Sequence, residues 1–174
     1  AMLTRFMETL SYDKSFRHAF FDNPQEQEQQ LRQLEYSILY YWRKCVMEHR
    51  RENPFSQDEC YATLQRSDRE AICRSPIKAY GATFLGAVMS DTFFFLLKLG
   101  DGNAAILTSD QRVFLLNHYS QLEDEQLQFN VTTSLCNGNA EASFRHCFYS
   151  SRYRCSVQGL LLTTDGVINS YTSE

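Results

Sequence analysis

A chain of 174 residues in which 43% are hydrophobic is long and apolar enough to bury a core as one domain. Its net charge of −4 gives no basic footprint for nucleic acid or an anionic membrane surface. The longest apolar stretch, 93–97, is far too short to span a bilayer, so no membrane partner is expected.

No secretory leader is read at the start, because Arg5, Glu8, Asp13 and Lys14 interrupt every early apolar run. A short helix is expected over roughly 3–10. A long one is expected over 26–51, opened by Asn23 as cap and Pro24 in the first turn. Its apolar stripe runs Leu31, Leu34, Ile38, Trp42, Cys45 and His49, at intervals of three and four. Asn53-Pro54 stops it, since the residue before proline is pushed out of helical geometry. Ser56-Gln57-Asp58-Glu59 reads as a capping box for a further helix reaching about residue 70.

The composition changes near Ser75-Pro76. All seven glycines lie beyond that point, so a helical part (1–75) and a β-rich part (76–174) are expected within one domain. Runs at 82–89 and 92–99 read as a hairpin. The turn Gly100-Asp101-Gly102-Asn103, a strand at 104–108 and another at 112–116 continue what reads as one antiparallel meander. Residues 117–128 read as a loop or short helix. A last strand at 156–163 leads to Asp165-Gly166, with a helix expected after it. The six cysteines, Cys45, Cys60, Cys73, Cys136, Cys147 and Cys155, form no C-x-x-C pair. They read as thiols of a reducing compartment, and the expected location is cytoplasmic.

Two Asp-Gly steps carry the candidate chemistry. Asp101 and Asp165 each end an apolar strand beside a glycine, an arrangement in which a rigid element delivers a carboxylate and the backbone leaves room for a ligand. Two such carboxylates suit a hard cation such as Mg²⁺ or Mn²⁺, which prefers oxygen ligands. Asp-Gly is also a common turn dipeptide, so spacing alone leaves both readings open. His18, His49, His118 and His146 show no metal-ligand spacing, and Arg145, Arg152 and Arg154, which could contact an anionic substrate, read first as a solvated basic loop. No serine or cysteine stands in the glycine-flanked elbow of a nucleophile.

Three segments taken together carry a resemblance. Tyr80-Gly81-Ala82-Thr83-Phe84-Leu85-Gly86-Ala87-Val88, then 97–107 with its Gly100-Asp101, then Gly159-Leu160-Leu161-Leu162-Thr163-Thr164-Asp165-Gly166 stand in the order found in protein phosphatase 2C, the metal-dependent serine/threonine phosphatases. Phe129-Asn130-Val131-Thr132, the helix with Trp42, and Asn53-Pro54-Phe55 resemble a bacterial branch of that family. The resemblance implies an α+β fold, an α/β/β/α sandwich of two packed antiparallel sheets with flanking helices. It implies a phosphorylated protein as substrate, Mg²⁺ or Mn²⁺ as cofactor, and a metal-activated water as nucleophile. Under it Asp165 is a ligand of the central metal pair and Asp101 belongs to an additional metal site. Gly100, Gly102 and Gly166 shape those turns.

The chain departs from the pattern in three places. The early Asp-Gly whose aspartate bridges the metals, the preceding strand with its phosphate-binding arginine, and the late Asp-Asn have no counterpart in 1–174. A truncated, incomplete domain is therefore expected, with weak or absent metal binding and impaired activity if the chain acts alone. Sheet edges left open by missing strands would favour pairing with a second copy. The alternative is a catalytically inactive phosphatase-like module that binds or regulates partners.

Overall fold

The computed structural model describes residues 2–55, 64–90, 93–115, 133–150 and 156–164. The chain forms two compact units, Ala1–Ala82 with Leu135–Glu141, and Thr83–Ser134 with Ala142–Glu174. No described helix is long and apolar enough to cross a membrane.

The first unit is helical: α1 (Met2–Tyr12), α2 (Lys14–Asp22), α3 (Pro24–Glu52), α4 (Arg66–Arg74), a 3₁₀ turn at Pro76–Tyr80 and the first residues of α5 (Ala140–Ser143). Asp13 and Asn23 start α2 and α3 by accepting the orphan amide protons of a first turn, from Phe16 N at 2.9 Å and from Gln25 N and Glu26 N at 3.0 and 3.3 Å. An aromatic cluster binds the helices, with Phe6 edge-on to Phe16 and Phe20 at centroid distances of 5.7 and 5.6 Å. The expected long helix is present, and its cap and its proline stand where the sequence places them. The buried stripe begins as expected with Leu31, Leu34 and Ile38, then turns away from the expected line. Leu39 and Val46 are buried, Trp42 is half-buried, and Cys45 and His49 are exposed. A 3.6-residue period carries the inward face through 31, 35, 39, 42 and 46 rather than through 45 and 49. The capping box at 56–59 lies outside the described residues, as do the segment 117–128 and everything after Thr164. The described helix of that region is the later α4.

The second unit is a sandwich. The order β1-β2-β5 builds one antiparallel sheet from β1 (Phe84–Met89), β2 (Phe93–Leu99) and β5 (Arg145–Ser150). The order β4-β3-β6 builds the other from β3 (Asn103–Thr108), β4 (Val113–Leu115) and β6 (Val157–Thr163). Phe94 and Leu96 of the first sheet meet Ala104 and Ile106 of the second, with Leu85, Ala87, Cys147, Tyr149, Val157 and Leu160 packed around them. Phe93, Phe95, Leu97 and Leu99 on the opposite side of β2 are buried as well, so the strand reads as an unbroken apolar run instead of an alternating one.

These sheets confirm the expected α+β class with paired antiparallel sheets. They also correct the single meander. Strands β2 and β3 follow one another but belong to different sheets, β2 lying between β1 and β5 and β3 between β4 and β6. β2 and β3 do not pair with each other, because β5 takes the second edge of β2 and β6 the second edge of β3. Arg145, expected in a loop, is the first residue of β5.

Candidate functional site

The turn that carries the chain from one sheet to the other is Gly100-Asp101-Gly102. Gly100 has φ of +107°, a region closed to L side chains. A Cβ there would also collide with the Thr83 side chain and stand 3.2 Å from the Thr133 carbonyl oxygen. At Gly102 a Cβ would lie 3.1 Å from Leu85 Cδ2 and 3.3 Å from the Thr163 carbonyl oxygen. Gly100 is thus required by its backbone and by Thr83, Gly102 sits in a tight fit, and between them they project Asp101 at the rim of the sandwich, where it is exposed.

The register defines what else reaches this rim. Asn103, the first residue of β3, faces Thr163, the last of β6, so β6 ends beside the Asp101 turn. Asp165 and Gly166 lie outside the described residues. On the first sheet, Lys98 stands between Leu85 and Arg145. Lys98 is half-buried, and loss of hydration lowers its pKa below that of an ordinary lysine, while the negative charge of Asp101 acts in the opposite direction. Arg145 donates to the carbonyl oxygens of Ala142 at 3.0 Å and Phe144 at 3.1 Å, which ties it to the end of α5. Sequence reading singled out Asp101 and its glycines but missed Lys98. Its signal was a single charged residue inside the apolar run 93–99.

The other titratable groups are spent locally. His49 Nδ1 is 3.0 Å from the Tyr80 hydroxyl, and His18 Nδ1 is 3.3 Å from Asp22 Oδ2 on the same helix face. Glu35 is buried on α3 and takes a 3.0 Å hydrogen bond from Arg32, which also reaches Glu28. Among the described residues no three His, Cys, Asp or Glu side chains stand together as a metal-binding group.

Comparison with known proteins bears on this rim. A sequence model of the family described as protein phosphatase 2C matches residues 11–174, nearly the whole chain. The chain belongs to the protein phosphatase 2C family. Searches of curated proteins and of solved structures found no match. Protein phosphatase 2C enzymes are hydrolases of phosphoproteins that use Mg²⁺ or Mn²⁺. The described residues of this member do not fit such a metal centre by themselves. They bring one exposed carboxylate, Asp101, to the rim, and it stands within electrostatic reach of a lysine. A Mg²⁺ ion gains little from one monodentate carboxylate and keeps most of its waters.

Proposed function

We propose that this chain is a phosphoserine/phosphothreonine protein phosphatase of the protein phosphatase 2C type. The observation that carries the reading is the Gly100-Asp101-Gly102 turn, held at the end of β2 by two close backbone approaches, in a chain that matches the family over 11–174. In this reading the whole of 1–174 serves as one phosphatase-like domain. Asp165 is a ligand of a central Mg²⁺ or Mn²⁺ pair and Asp101 a ligand of an additional site, with Gly166 shaping the later turn. The described residues hold too few oxygen donors for any hydrolytic step to be assigned to them. Cys45 and Cys147, which form no disulfide, favour a cytoplasmic setting. The described edge strands β1, β5, β4 and β6 offer a route to pairing with a second copy.

A second reading is favoured by Lys98, whose positive charge lies where a metal-binding rim would be expected to carry none. In it the domain recognises phosphoproteins or regulatory partners without hydrolysing them. Hydrolysis of p-nitrophenyl phosphate and of a phosphothreonine peptide in Mn²⁺, by the natural chain and by Asp165→Asn, separates the two. Loss of roughly a hundredfold or more in the variant supports the phosphatase with Asp165 as ligand. Undiminished activity sinks the role of Asp165. No activity in the Mn²⁺-loaded natural chain selects the binding module.

A further inference from the structure

Away from the rim, the outer side of the second sheet departs most from ordinary burial. Ala104, Ile106 and Leu160 turn inward to the core, so alternation sends Ala105, Leu107 and Leu161 outward. The register sets two rows across the three strands on that side: Leu115, Ala105 and Leu161, then Val113, Leu107 and Gly159. Val113, Leu115, Leu161 and Leu107 are 65, 62, 59 and 40% exposed, and neither row holds a polar side chain. An exposed apolar patch of this kind marks a contact surface. We propose that this face associates with itself, a second copy of the chain packing its own outer face against it about a two-fold axis. The proposal concerns the face of the sheet and not its edges, and it stands whether or not the chain hydrolyses phosphoproteins.

A two-fold contact has to match itself. An axis that lies in the interface and runs across the strands between the two rows exchanges those rows. Leu161 of one copy then stands over Gly159 of the other, Leu107 over Ala105, and Val113 against Leu115. Among the described residues a Cβ at Gly159 would meet only Leu107, at 3.4 Å, so a hollow lies two residues from the Leu161 knob. Large side chains thus oppose small ones on two of the three strands. Packed sheets of this kind keep their strands within about 30° of alignment, which leaves the rows in contact across so narrow a sheet. Charge points the same way. The chain carries a net charge of −4, yet these two rows hold no charge to repel a copy or to be desolvated. Area sets the strength: three short strands cover about 300 Å², against about 800 Å² per partner in a standard interface. The contact is therefore weak, and in dilute solution the monomer predominates with its face exposed.

The experiment is sedimentation equilibrium of the full chain from about 10 μM to about 1 mM, where weak contacts populate. The average mass of the unsubstituted chain is expected to rise from that of one chain towards that of two. L161S, L161D and G159K are each expected to weaken association about tenfold or more, with circular dichroism checking that they stay folded. The backbone at Gly159 is not left-handed, so the fold accepts a side chain there. The register makes a sharper demand. An equimolar mixture of L161D and G159K is expected to associate again. The introduced carboxylate of one copy meets the introduced ammonium of the other, and the second Leu161–Gly159 contact stays native. A monomer mass at every concentration would overturn the proposal, whether the face stays open or the chain's own residues cover it. Association undiminished in all three variants would overturn it in favour of edge pairing. Association lost in the variants but not restored by mixing would overturn the two-fold packing and leave an unspecific apolar contact.

Discussion

Gly102 approaches Thr163 so closely that a Cβ on it would sit 3.3 Å from the Thr163 carbonyl oxygen. This contact joins the turn after β2 to the end of β6 and sets the height at which Asp101 leaves the sandwich. The neighbouring Gly100 is constrained more strongly still, by its φ of +107° and by the Thr83 side chain against it.

Alanine at these positions separates backbone demand from mere turn composition. Gly100→Ala is expected to cost about 2 kcal/mol or more, combining a left-handed backbone with overlap on Thr83. Gly102→Ala is expected to cost about 1–2 kcal/mol, because Leu85 Cδ2 can shift but the Thr163 carbonyl is held in the ladder. Gly138→Ala meets nothing within 4 Å and should stay within about 0.5 kcal/mol of the parent. Urea unfolding midpoints rank the three, and an equal ranking would show that the turn tolerates a side chain.

Much of this architecture was legible in local pattern. Asn23-Pro24 announces α3 because a cap and a proline act within one turn, the apolar run at 84–89 announces β1, and that at 93–99 announces β2 because burial on both faces admits a single polar residue, Lys98, near the strand end. Helix α2 was missed although Asp13 caps it and Phe16 and Phe20 stand four apart, since nine residues give a weak period. Strand β5 was missed because its apolar run, Cys147-Phe148-Tyr149, is only three residues long and stands among basic residues such as Arg145 and His146. Partition into two sheets depends on long-range pairing, which no local run encodes. The Asp101 turn was visible as a strand followed by Gly-Asp-Gly.

Asn23 closes α2 and opens α3, with its backbone N–H donating to the Ala19 carbonyl and its side chain accepting from Gln25 N and Glu26 N. Asn23→Ala keeps the first bond and loses the second pair, so about 1 kcal/mol of stability should be lost. Asn23→Asp should retain most of it, with a carboxylate favoured at the positive end of the helix. Thermal unfolding followed by circular dichroism checks both, and an unchanged midpoint in the alanine variant would mean that the cap contributes nothing net.

Substitution between the sheets and on the outer side of the second sheet should differ sharply in cost. Phe94 is fully buried between the sheets, and Phe94→Ala should cost about 3–5 kcal/mol through lost burial and the cavity left behind. Leu161, in register with Ala105 on the outer side of the second sheet, is 59% exposed. Leu161→Ser should therefore change the unfolding free energy by no more than about 0.5 kcal/mol. A cost at Leu161 comparable to that at Phe94 would reveal that its face is covered in solution.

Cys147 lies within the sandwich against Leu96, and burial pushes its thiol up to about 11, only partly opposed by a hydrogen bond with the Leu96 backbone. The neutral thiol is the form that the folded chain prefers, so folding holds a proton more tightly than the unfolded chain does. The resulting stability is fully present below the unfolded value of 9.0 and is lost as pH rises towards about 11. Cys147→Ala should flatten the decline in unfolding free energy over that window, measured by urea titration at a series of pH values. Reactivity follows from the same burial, since only the thiolate attacks. At pH 8, iodoacetamide followed by peptide mass spectrometry should label exposed Cys45 and Cys73 in the folded chain and reach Cys147 only after denaturation. Labelling of Cys147 as fast as Cys45 in the folded chain would show that the sheets separate there far more readily than their packing allows.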